Sequence, residues 1–187
     1  MSRPLKILTV NWHVPYLCLL ARTGHEFFVI EPMAPSGRRR WDHEMRPPPE
    51  NVRILDDATW RRGLDENVFD LVICHNHMDL VDLVSYSVPK ILVLHNRLST
   101  SLAMGDGLDE RDRFWDDVFL PLYRETENIR FVAISEGKKS DWGLPGRVIP
   151  PGIDVDEYSG WRGNEARVLR IGNYMRERDL MMGFSVQ

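Results

Sequence analysis

Four of the six histidines stand directly behind apolar runs: His13 in Asn11-Trp12-His13, His75 and His77 in His75-Asn76-His77-Met78-Asp79, and His95 in His95-Asn96-Arg97. A neutral imidazole both donates and accepts a hydrogen bond, ligates metals, and changes charge close to physiological pH. Ser135-Glu136 holds the same position after a later apolar run. If these runs are strands of an open parallel sheet, all of these residues fall at its carboxyl edge, where ligands bind.

His75 and His77 are two residues apart, which puts them on one side of the chain as long as the strand continues. Three roles compete for the pair. They could bond loop carbonyls and cap a helix starting at Met78, or bind a hydroxyl or phosphate of a substrate. With a third histidine and Asp79 they could also ligate zinc. His-x-His hydrolases build that metal site in a complete eight-stranded barrel, for which this chain is too short, so no metal site is expected.

The elements that must hold these residues follow from hydrophobic periodicity. Apolar runs of four to eight residues alternate with helical patterns, the rhythm of a parallel sheet covered on both faces. Strands are expected over 5–11, 26–31, 52–55, 69–74, 90–94, 129–134 and 147–149. Helices are expected over 15–22, 57–64, 78–86, 110–124 and 136–142. In the fourth helix Phe114, Val118 and Leu122 stack at i, i+4 and i+8 beside Trp115 and Phe119, and Pro121 should kink it or end it early. The expected fold class is α/β, a Rossmann-like parallel sheet with helices on both faces.

At 187 residues there is room for one well-buried domain and little more. A composition 43% apolar and 28% charged is that of a globular protein, and a net charge of −4 gives no reason to expect a nucleic-acid partner. Cys18 and Cys74 lie in apolar surroundings and read as buried reduced thiols. Apolar runs such as Phe27 to Ile30 are far too short to cross a bilayer, and no signal peptide precedes the first strand, so a cytoplasmic location is expected. Residues 36–49 have no periodicity and read as a loop. Its four arginines with Trp41 and Met45 could meet a phosphate or, through 37–46, anionic headgroups at the inner face of a membrane. A solvated loop in which Asp42 and Glu44 offset part of the charge is the simpler alternative.

Toward the end, Val148-Ile149-Pro150-Pro151-Gly152-Ile153-Asp154-Val155-Asp156 is followed by a new apolar run, Val168-Leu169-Arg170-Ile171-Gly172-Asn173-Tyr174. Two prolines with fixed φ and a glycine that admits φ > 0 must turn the chain sharply out of its sheet. The expected division is a first domain over 1–165 and the start of a second over 166–187.

This ending resembles the interdomain crossing of retaining glycosyltransferases of the GT-B fold, sequence family 4, whose first domain closes on a Val-Ile-Pro-Asn-Gly-Val-Asp type of segment. Asp70-Leu71-Val72-Ile73-Cys74-His75-Asn76-His77 is similar to that family's Asp-Val-Val-His-x-His-Asp, and Ile91 to His95 ends as its fifth strand does. Val132-Ala133-Ile134-Ser135-Glu136, with the helix running to Trp142-Gly143, resembles its Val-Ala-Val-Ser-Glu segment.

The resemblance implies the N-terminal, acceptor-side half of a GT-B fold. Such an enzyme moves a sugar from a nucleotide-sugar donor to a hydroxyl acceptor with retention, in a cleft closed by its own C-terminal domain. By resemblance, His77 and His95 are the catalytic positions, and Trp12, His13, His75, Asn96, Ser135 and Glu136 bind substrate. Gly172, Asn173 and Arg178 hold the donor diphosphate, with no cofactor and no metal, because cationic side chains offset the phosphate charge. This chain departs from the family in having Asn173 for an arginine. It also has Trp12-His13-Val14-Pro15 where the family has a glycine pair that approaches phosphates. The family's Glu-x7-Glu element would lie beyond Gln187, so residues 1–187 alone are expected to have little or no transferase activity. The competing class is a stand-alone, non-catalytic Rossmann-like module that binds a phosphorylated ligand or a protein partner. Half of a two-domain protein should leave an apolar face bare, and a module evolved to stand alone should not.

Overall fold

Each expected strand is formed, in most cases a residue or two shorter than its apolar run. The structure, a computed structural model, describes residues 3–31, 40–99, 111–153 and Asp156. The strands are β1 (Lys6–Val10), β2 (Glu26–Ile30), β3 (Val52–Leu55), β4 (Leu71–Cys74), β5 (Lys90–Leu94), β6 (Ile129–Ala133) and β7 (Arg147–Val148). All pair in parallel, in the order β3-β2-β1-β4-β5-β6-β7. The helices are α1 (Val14–Ala21), α2 (Asp57–Asp65), α3 (Met78–Val81), α4 (111–125) and α5 (Glu136–Trp142). This is a Rossmann-like α/β sheet whose order reverses between β1 and β4.

That reversal, with right-handed crossovers, puts α1 on one face and the later helices on the other. Two buried clusters record the division. On the first face Val14, Leu17 and Ala21 of α1 pack on Ile7, Phe27 and Val29. On the second, Trp60, Leu80, Phe119 and Trp142 pack on Leu8, Val72, Leu92 and Phe131. Odd-numbered and even-numbered residues of β1 go to opposite clusters, as the period of two along a strand requires. Cys18 and Cys74 are both buried and are not joined in a disulfide.

Helices α3 and α4 differ from their expected form. α3 is one turn; Leu83 and Tyr86 then bond back to Leu80 and Leu83, three residues rather than four. α4 is α-helical over Arg111–Arg113, π-helical over Phe114–Phe119 and α-helical again over Leu120–Glu125. The Leu120 N–H reaches the Trp115 carbonyl five residues back, and the helix runs on through Pro121, whose missing N–H the wider turn precedes. A five-residue spacing aligns Phe114 with Phe119, ring centroids 6.2 Å apart. Phe119 is therefore fully buried, and Val118, expected in the stripe, is 43% exposed.

Of the arginine-rich loop, residues 32–39 lie outside the described residues. Trp41 is buried in the α1-side core, its backbone N–H donating to Glu31 Oε1 at 2.6 Å and its indole N–H to the Arg46 carbonyl at 2.7 Å. Met45 is the apolar residue of the described loop that remains exposed. No helix among the described residues is long and apolar enough to cross a membrane. The expected second-domain residues 166–187 lie outside the described residues.

Candidate functional site

The rows of side chains on the α1 face run off the carboxyl ends of the central strands. In β4 and β5 the row reads Ile73 and Val93, and it continues past the strand ends into His75 and His95. His75 is 3% exposed. Its Nε2 lies 2.9 Å from Thr9 Oγ1 and its Nδ1 3.0 Å from His95 Nε2. The Thr9 hydroxyl also donates to the Ile73 carbonyl at 3.0 Å. Trp12, just behind β1, stacks on His95 with centroids 3.8 Å apart and planes 19° from parallel. Tyr16, one turn into α1, sets its ring edge against His75 and His95 at 5.6 and 5.0 Å.

Burial keeps this cluster uncharged. It pushes the His75 pKa down to about 3, aided by the charge of His95. Burial, then the neighbouring Lys138 and His13, push that of His95 down to about 4. Both imidazoles are neutral at pH 7, fit to exchange hydrogen bonds and unsuited to holding a phosphate by charge.

The expected pairing of His75 with His77 does not form. The strand stops at Cys74, and the Asp79 carboxylate accepts from the backbone N–H groups of His75 (2.8 Å) and Asn76 (3.2 Å), which bends the chain into α3. His77 thereby turns toward the other face and sets its ring against Phe114, centroids 5.0 Å apart and planes 82° from parallel. Burial lowers its pKa as well. A cavity of about 200 Å³ gathers His75, Asn76, His77, His95, Asn96 and Phe114 on its wall. The Trp142 indole donates to the Asn96 carbonyl at 2.8 Å and steadies that rim. Among the described residues no group of three histidine, cysteine or acidic side chains is placed to hold a metal ion.

The remaining candidates sit apart from this cavity. His13 is the N-cap residue of α1, exposed, its ring 5.6 Å from that of Trp12, and its side chain does not make the capping hydrogen bond. Ser135 caps α5, its hydroxyl accepting from the Lys138 N–H, and Glu136 is exposed in the first turn. Gly172, Asn173 and Arg178 lie outside the described residues. No glycine occurs from Asn11 to Val14, and Pro15 removes one of the free N–H groups at the start of α1, so the backbone cradle that binds pyrophosphate in this fold is not built here.

Sequence reasoning passed over four contributors. Thr9 was detectable as the one hydroxyl in a buried strand, which must have a partner. Tyr16 and Phe114 look like ordinary helix residues until the rings they touch are known. Lys138, half-buried beside Arg97, has its pKa lowered by burial and then by that arginine's charge. The Arg97 guanidinium lies so near the first turn of α5 that a Cβ on Gly137 would come within 3.1 Å of it.

On the α1 face, beyond Tyr16, an apolar groove of about 520 Å³ runs over Ile73, Ile91, Val93 and Val132 to Pro150–Ile153. Ile149 and Ile153 are 54% and 69% exposed at its rim.

No family model matches the chain, and no curated protein matches it. Among solved structures it is similar to the Bordetella bronchiseptica enzyme WbmG in complex with NAD, at 12% identity and a TM-score of 0.42, over 71% of this chain and 53% of that one. The chain thus spans about half the length of that enzyme. A likeness of this degree carries no argument about activity. What stands from the strand order is that the chain forms a Rossmann-like α/β domain with a polar and aromatic cluster at its switch point.

Proposed function

We propose that the chain is the acceptor-side domain of a retaining glycosyltransferase of the GT-B kind, taking a sugar from a nucleotide-sugar donor to a hydroxyl acceptor. The observation that carries this reading is the chemistry at the switch point: an indole stacked on a neutral imidazole, beside a cavity edged by imidazoles and amides. Neutral imidazoles and amides exchange hydrogen bonds with hydroxyls, and apolar walls with a few polar groups suit a sugar-sized ligand. A dinucleotide would instead need bare backbone after β1, where this chain carries Trp12 to Pro15. The open groove beside Pro150–Ile153 also favours this reading over a module that stands alone.

In the transfer, the bond from the anomeric carbon to the diphosphate oxygen breaks and the nucleoside diphosphate leaves. The acceptor oxygen bonds to the same face of that carbon and passes its proton to the departing diphosphate oxygen. His77 and His95 hold the hydroxyls of sugar and acceptor; Trp12, His13 and Asn96 border the approach. The donor diphosphate falls to Gly172, Asn173 and Arg178.

The test is to incubate the protein, at the length its source cells make, with a panel of nucleotide sugars and alcohols and to weigh the products. Addition of one sugar with its anomeric configuration retained is expected, reduced at least about 100-fold in H95A. Residues 1–187 alone should transfer little or nothing. Turnover by residues 1–187, or hydride exchange with a nicotinamide nucleotide in place of sugar transfer, overturns the reading.

A further inference from the structure

The geometry points to His75 as a positioning residue that fixes which nitrogen of His95 carries the proton and which is offered to a ligand. The Thr9 hydroxyl has one proton, and it goes to the Ile73 carbonyl, which can only accept. Toward His75, 2.9 Å away, Thr9 Oγ1 must therefore accept, so the proton of His75 is on Nε2. A neutral imidazole has one N–H, and His75, 3% exposed with a hydroxyl and a second imidazole as its ring partners, is neutral. Its Nδ1 is then bare, and the 3.0 Å bond to His95 is made by a proton on His95 Nε2.

The result is a directed chain: His95 Nε2–H donates to His75, His75 Nε2–H donates to Thr9, and Thr9 O–H donates to the backbone of β4. It leaves His95 Nδ1 as the lone pair of the pair, an acceptor for a ligand O–H. The stacked Trp12 and the edge of Tyr16 hold the ring in plane. This inference deepens the proposed function and rests on it for the use made of Nδ1, though the proton assignment itself does not. In this role His75 acts through His95.

The experiment is nitrogen NMR of the imidazoles in the whole chain at pH 7, reading the coupling across the hydrogen bond between the rings. The proton of that bond should be attached to His95 Nε2. In T9V, which removes the acceptor, it should divide between the two nitrogens, and T9S should restore it to His95. A proton found on His75 Nδ1 in the wild type, no coupling between the rings, or a T9V spectrum identical to wild type each overturns the assignment. The wild-type spectrum decides the matter even if T9V does not fold. Because no substrate enters the measurement, its failure leaves sugar transfer untouched, and failure to find sugar transfer leaves the assignment standing.

Discussion

The two faces of the sheet are made from the same strands and finished differently. On one, Phe119 stands among Phe114, Trp115, Phe131 and Trp142, with ring centroids 4.8 to 6.4 Å apart, in a core to which α2, α3, α4 and α5 contribute. On the other, α1 covers β1 and β2, and the rows of β4, β5 and β6 pass from core into an apolar groove. Close packing makes the first face a foundation that must not yield. The second ends in the imidazole pair and borders Pro150–Gly152, so it is the face that is left open.

The contrast is broken or upheld most directly by one substitution made on both faces. Leu92, 1% exposed on the closed face, should cost about 2–5 kcal/mol when changed to Ala, as buried leucines do. Leu20, half-buried along the groove, should cost about 1 kcal/mol, because its replacement opens no sealed cavity. Urea unfolding of both variants measures the difference. Equal losses would mean that the groove is closed in solution.

Acid sharpens the comparison where the open face ends. An unfolded histidine takes up its proton near pH 6.5, whereas folded His95 and His75 do so only near 4 and 3. As pH falls below about 6.5 the unfolded state binds protons that the folded state refuses, so stability falls with pH, and above pH 7 it is level. Each such histidine adds at most about 1.4 kcal/mol per pH unit to that slope. Asp70, held near 2 by Arg3 and the Lys6 N–H, acts only below about pH 4, so the window from 6.5 to 4 belongs to the imidazoles. The double variant H75Q/H95Q should reduce the slope across that window to the share of His77, whose pKa burial also lowers, while keeping the decline below it, measured as unfolding midpoints at half-unit steps of pH.

A smaller effect falls on the closed face at Gly143, where α5 ends in the left-handed region at φ +67°. A Cβ there would meet nothing within 4 Å, so Gly143→Ala carries backbone strain alone and should cost about 1 kcal/mol. A loss several times larger would show that α5 is seated more tightly against its neighbours than its exposed end indicates.

The fold was legible because burial on two faces writes continuous apolar runs, and all seven strands follow them. The site was half legible. A parallel sheet had to bring His75 and His95 to one edge, but the link between them spans two strands and depends on Thr9, and no local pattern encodes that. The side taken by His77 was not legible for a related reason: the sequence does not say where β4 stops, and the Asp79 carboxylate bends the chain before a shared side could be reached. The end of the chain, with the expected donor residues, lies outside the described residues, so its part of the reading stays a proposal.

Helix α4 isolates the least effect and the sharpest lesson. A period of 3.6 assigns Val118 to the closed face, and nothing in its type distinguishes it from a core residue. The π turn before Pro121 shifts the register by one, so that Phe119 enters the core and Val118 faces solvent at 43% exposure. Alanine also has the higher helix propensity, by a few tenths of a kcal/mol, which offsets the little apolar contact that Val118 retains. Val118→Ala should therefore change stability by no more than about 0.5 kcal/mol in either direction. A loss of about 2 kcal/mol or more, measured in the same urea titration, would mean that α4 keeps an ordinary α-helical register and that the closed face is packed by Val118 after all.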